Sequence, residues 1–161
     1  MKRVLLFALA VIIAVLVTTA TASASATPVR PLKGTCVTTF TIDFTALPPV
    51  AHIFGTCRLT HLGATRYEAL QRLLPDNVVV SDATYTAANG DKLFVHATGQ
   101  GTMVGPAMLA LTFSEWITGG TGRFAHVVAP PLNGPPSDTG TGLIDLAGST
   151  GTFTSDGWIA Y

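Results

Sequence analysis

The chain has 161 residues, with nine Lys and Arg balanced by nine Asp and Glu, and only 11% of its residues are charged. That balance provides neither a basic patch for nucleic acid nor an electrostatic hold on an acidic membrane. The length fits one domain with a sizeable core.

Met1-Lys2-Arg3 is a short basic start, and Val4 to Val17 is unbroken apolar sequence followed by Thr, Ala and Ser. This is the three-part layout of a secretory signal peptide. The apolar run is shorter than the roughly 20 residues that span a bilayer, so an uncleaved anchor is the less favoured reading. Ala24-Ser25-Ala26 is the first choice of cleavage site and Ala20-Thr21-Ala22 the second; no Cys follows to carry a lipoprotein anchor. Residues 1–26 are therefore read as signal peptide and 27–161 as one mature domain, secreted or periplasmic. The mature part keeps seven basic residues against nine acidic ones and shows no further transmembrane segment.

Thr, Val, Gly and Ala dominate the mature part, which favours strands. Thr35 to Thr45 alternates, with Cys36, Thr38, Phe40, Ile42 and Phe44 on one face, as a half-buried strand does. Ala46 to Ala51, with Pro48-Pro49, reads as a loop. Phe54 to Tyr67 reads as the second strand, with Cys57, Leu59, His61 and Gly63 on one face. Tyr67 to Leu74 is the one helical candidate, short and stopped by Pro75. Val78-Val79-Val80 belongs to another strand. Asn89-Gly90, between Ala83–Ala88 and Asp91–Thr98, is a strong hairpin signal. Leu109 to Ile117 and Phe124 to Ala129 read as strands around a glycine turn. Pro130 to Asp138 holds too many prolines for a central strand. Thr141–Ala147 and Thr152–Tyr161 are the last two strands. About eight strands joined by short turns make an antiparallel sheet that closes into a barrel or splits into a sandwich.

Gly119, Gly120 and Gly122 supply the backbone freedom of the glycine turn. A phosphate-cradle reading fails, because no Lys-Ser/Thr pair and no helix follow. Gly119-Gly120-Thr121-Gly122-Arg123-Phe124 resembles the glycine turn of the allene oxide cyclase barrel and dirigent proteins. Thr60-His61-Leu62-Gly63 and Ala87-Ala88-Asn89-Gly90-Asp91 are similar to stretches of bacterial exported members of that group. Where that pattern continues as Gly-Ala-x-Gly after Phe124, this chain has His126-Val127-Val128-Ala129-Pro130-Pro131. The resemblance implies an all-β, up-and-down barrel rather than a sandwich. It implies no particular activity.

Cys36 and Cys57 are the only two cysteines. Their midpoint falls inside the Pro48-Pro49 loop, so antiparallel strands would set them opposite each other, and in an oxidising compartment they are expected to pair. The histidines His52, His61, His96 and His126 lack the spacing of a zinc pair, so no metal and no cofactor are expected. His61, sharing a face with Cys57, is either a core histidine or a pocket acid or base. His96 is expected opposite Ala83, near Tyr85, and facing out. Glu115 shares a face with Leu109, Leu111, Phe113 and Ile117. A carboxylate there is costly unless paired, and burial would raise its pKa. It either lines a pocket or is structural, bonding the glycine-turn amides or Arg123; a buried Trp116 would instead turn it outward. The candidate pocket set is Glu115, His61, Tyr85 and Phe40.

Three functions fit. The first is a secreted barrel that holds a lipophilic small molecule in its interior. The second is a cyclase- or isomerase-like enzyme, since the resemblance implies relatives that impose a conformation on an unsaturated substrate. The third is a structural or envelope-interaction protein with a filled interior. An oligomer is compatible with all three; nucleic acid is not an expected partner.

Overall fold

The computed structural model describes residues 27–161, so the signal-peptide reading lies outside the described residues. Eight strands follow one another: β1 (Val29–Asp43), β2 (Val50–Leu59), β3 (Gly63–Leu73), β4 (Val78–Ala87), β5 (Lys92–Gly105), β6 (Met108–Gly120), β7 (Asp138–Asp145) and β8 (Thr150–Ala160). Each pairs antiparallel with its neighbour in sequence, and β8 returns to β1, with Val29 opposite Ala160 and Thr39 opposite Thr150. The result is a closed up-and-down barrel, not a sandwich. Closure leaves no unpaired sheet edge, and it holds the C-terminal strand between two partners.

Side chains alternate inward and outward along the walls. On β5, Leu93, Val95 and Ala97 are buried while His96 faces out beside the Asp82 carboxylate, 2.7 Å away. His96 stands opposite Asp82 rather than Ala83, one residue from the expected register. The β4–β5 connection is wider than a two-residue turn: the Gly90 amide donates to Ala87 and the Ala87 amide to Asp91.

Three further expectations are corrected. Phe54 to Tyr67 is not one strand. The chain reverses at Thr60–Leu62, where His61 takes φ 64°, and the helix candidate after Tyr67 is the second half of β3. The Leu spacing there is short, and pairing with both β2 and β4 outweighs it. Phe124 to Ala129 is not a strand either. Gly122–Phe124 is a single 3-10 turn, followed by an irregular loop to Ser137. The Phe124 ring leaves the wall and seals the barrel end, fully buried beside Leu93, Ile117 and Ile159. Gly122 is required at this turn: its φ is +59°, and a Cβ there would overlap the Asp91 carboxylate.

The two ends of the barrel therefore differ. The β2–β3, β4–β5 and β6–β7 connections lie at the sealed end. The β1–β2, β3–β4, β5–β6 and β7–β8 connections ring the other end. Cys36 and Cys57, register partners on β1 and β2, form a disulfide that points into the core.

Candidate functional site: a carboxyl layer beneath an apolar mouth

Above the Phe124 plug lies the barrel's polar layer. Glu115 on β6 is inward and 5% exposed, and Tyr85 on β4 donates its hydroxyl to both carboxylate oxygens, at 3.2 and 3.3 Å. Tyr67 on β3 packs its ring against Tyr85, with centroids 4.9 Å apart. Trp116 faces the other side of the wall and donates its indole N–H to the Gly134 carbonyl at 3.0 Å. Arg123 lies near Asp91 instead, at 3.6 Å, so Glu115 is not the partner of the glycine turn or of Arg123.

Asp138 completes the layer. It is the first residue of β7, stands opposite Glu115 and is 3% exposed. The returning loop places it there. The Ser137 amide donates to the Glu115 carbonyl at 2.8 Å, the Ile117 amide to the Ser137 hydroxyl at 3.2 Å, and the Trp158 amide to the Ser137 carbonyl at 2.8 Å. These bonds strap the loop's end between β6 and β8 and carry Asp138 inward with it. The Ser155 hydroxyl and the Asp156 amide lie close enough to draw its pKa down, but neither carboxylate oxygen meets a partner at hydrogen-bonding geometry.

Burial governs the electrostatics. Desolvation, reinforced by the Asp138 charge, pushes Glu115 up to about 8, against the smaller lowering effect of the Tyr85 hydroxyl. Desolvation likewise pushes Asp138 up to about 6. Burial and the nearby carboxylate raise both tyrosines, so they remain neutral donors. At neutral pH Glu115 thus keeps its proton and can give or accept one, as proton-transfer groups do.

A chamber of about 40 Å³ opens onto Glu115, Tyr85 and Tyr67. It shares Ile53, Gln71, Val79 and Phe153 with a second, apolar cavity of about 190 Å³ at the open end. Phe40, Ile42, Leu73, Leu109 and Ile144 form the walls of that mouth. Glycines on β7 make room for the flanking rings: a Cβ on Gly140 would strike Phe113, and one on Gly142 would strike Phe153. A larger concavity of about 740 Å³ is a wide trough on the outer wall, lined by Thr98, Thr112, Thr139, Thr141 and Thr154. It is open to solvent and contains no buried titratable group, so the interior is the better candidate.

The fold brings together Glu115, Tyr85 and, at the mouth, Phe40. It does not bring in His61, which is exposed in the β2–β3 turn at the sealed end. Its expected inward position assumed that the strand ran on through it. Sequence reasoning missed Asp138, which it placed in the proline loop, and Tyr67. The signal for Asp138 was its parity with Gly140, Gly142 and the buried Ile144 along β7. Among the described residues no cluster of His, Cys, Asp or Glu has the makings of a metal site. No family model matches the chain, and neither a curated protein nor a solved structure does.

Proposed function

We propose that this chain is an exported β-barrel that binds a small lipophilic molecule, its apolar part in the mouth and its polar end toward Glu115 and Tyr85. One observation carries the reading: an apolar cavity at the open end shares the Ile53, Gln71, Val79 and Phe153 side chains with a chamber floored by a buried carboxyl and a phenol. Binding sites pair apolar walls with a few convergent polar groups in this way. The volume narrows the ligand. An apolar cavity of roughly 150 Å³ takes up benzene, so about 190 Å³ suits a single ring or a short chain. The disulfide and the signal-like N-terminus support export.

The three stretches that resemble the allene oxide cyclase and dirigent barrels all fall in connections at the sealed end. They speak for a shared scaffold and not for a shared ligand. A second reading, an isomerase- or cyclase-like enzyme, draws on Glu115, whose raised pKa suits proton transfer at the cavity floor.

Native mass spectrometry of protein purified from its own host, together with calorimetric titration of the stripped protein with the single-ring probe p-cresol, tests the binding reading. A retained small molecule, or saturable p-cresol binding lost when Phe40 is replaced by Asp, supports it. No retained mass together with no saturable uptake overturns it.

A further inference from the structure

We infer that the interior site selects ligands with a cationic head, a primary or secondary amine on a ring or short chain, over alcohols and carboxylates. The inference rests on the binding reading above and specifies its ligand class.

The argument starts from what faces the barrel interior. β6 contributes Glu115, β4 contributes Tyr85 and Ser81, and β3 contributes Tyr67 and Gln71 to the chamber, while Asp138 of β7 is buried in the wall beside Glu115. β1 and β2 contribute the disulfide, which does not titrate, and β5 and β8 contribute Ala97 and Ser155. Asp156, exposed on the outer face of β8, adds a further negative charge near Asp138. No Lys, Arg or His among the described residues points into this layer. Every Lys and Arg among the described residues is exposed, and the half-buried His96 faces outward to Asp82. The interior thus holds two acids and no base.

Asp138 adds a second acid next to the chamber, with no cation among the described residues to balance it. It is nearly fully buried, yet both of its carboxylate oxygens are unpartnered. A buried polar group without a partner is costly, and a buried charge without one more so. Glu115, across the strand, receives one phenolic donor and no more in the protein's hydrogen-bond network. Gln71, Ser81 and Tyr67 bring neutral donors to the chamber, but no described side chain brings it a positive charge. An ammonium head carries three donors and the positive charge that the layer lacks. A chamber of about 40 Å³ has room for a group of that size, since one water needs roughly 10–15 Å³. A carboxylate head would add a third acid to the same layer.

Proton bookkeeping follows from this. An ammonium ion entering beside protonated Glu115 stabilises the carboxylate, so a proton leaves Glu115 for solvent as the cation binds. Lowering the pH toward 5 keeps both carboxyls neutral and weakens the amine.

The test uses three probes with one ring and one arm: 2-phenylethylamine, 2-phenylethanol and 3-phenylpropanoate. Isothermal titration of the mature, disulfide-bonded protein at pH 7.5, in two buffers of different ionisation enthalpy, gives affinities and protons released. The amine is expected to bind at least tenfold tighter than the alcohol, with net proton release, and the carboxylate weakest. The amine's advantage should shrink at least fivefold at pH 5 and in Glu115→Gln, and by a smaller factor in Asp138→Asn, which serves should E115Q fail to fold. Alcohol binding equal to or tighter than amine binding, or tightest binding of the carboxylate, overturns the inference and leaves a neutral lipophilic site standing. Failure of all three probes, with no uptake of p-cresol, overturns the inference together with the binding reading.

Discussion

The two ends of the barrel are built from the same strands and solve opposite problems. At the sealed end, Phe124, Leu93, Ile117 and Ile159 are between 0% and 1% exposed and pack as one cluster. The long β6–β7 connection is tied down there by Ser137, and Arg123 lies over the Phe124 ring, 4.7 Å from its centroid. At the open end, apolar side chains are left out of the core: Phe44 is 73% exposed and Leu47 93%. The Phe40, Ile42, Leu73 and Ile144 side chains around that opening surround a cavity instead of filling it. Stability is thus concentrated below the carboxyl layer, and the empty space lies above it. The buried acids sit between the two, where desolvation favours their protonated forms.

The contrast can be broken most sharply at the plug. Phe124→Ala removes a fully buried ring and is expected to cost about 3–5 kcal/mol in urea unfolding. Phe40→Ala at the mouth should cost less than half as much, because its neighbours already face a cavity. Equal losses would show that the ends do not differ in packing. Replacing Cys36 and Cys57 together by Ala opens a crosslink between residues 21 apart and should remove about 3 kcal/mol, read from the denaturation midpoint of the oxidised protein against the variant.

The carboxyl layer gives an effect that is spread over pH and has a definite direction. Glu115 and Asp138 have pKa values raised in the folded state, to about 8 and about 6. The folded protein therefore holds protons that the unfolded chain releases near pH 4. Their contribution is fully present below that point and lost as pH rises through 6 and then 8. Thermal melts should fall steadily from pH 5 to 8.5, by up to about 1.4 kcal/mol per pH unit for each group. Glu115→Gln should flatten the upper part of that slope and leave the protein more stable than the parent at pH 8.5. A parent whose melting temperature is level across this range would place the acids in water. At the other extreme, Leu47→Ser on the open rim should change stability by no more than about 0.5 kcal/mol in the same melts.

Much of this was legible from local pattern. The alternation around Phe40, Phe113 and Val95 marks inward faces, since a strand's side chains reverse at every residue. The Cys36–Cys57 pairing follows from a loop placed midway between them. The inward turn of Glu115 follows from the apolar residues sharing its parity. These are properties of neighbours along the chain. Closure into a barrel is not such a property, because it depends on β1 meeting β8 across almost all of the described residues. Nor could local pattern show that Tyr67–Leu73 joins the wall as a strand, that His61 sits in a turn, or that Phe124 leaves the wall to become a plug. Each was decided by which surfaces remained to be covered once the strands had paired. The chemistry of the site depends on the same step. Asp138 looks like the end of a proline loop until Ser137 is strapped between β6 and β8, and only then does a second carboxyl stand beside Glu115. Periodicity predicts the direction of a side chain, but long-range pairing determines what it meets there, and the properties of a buried acid depend on what it meets.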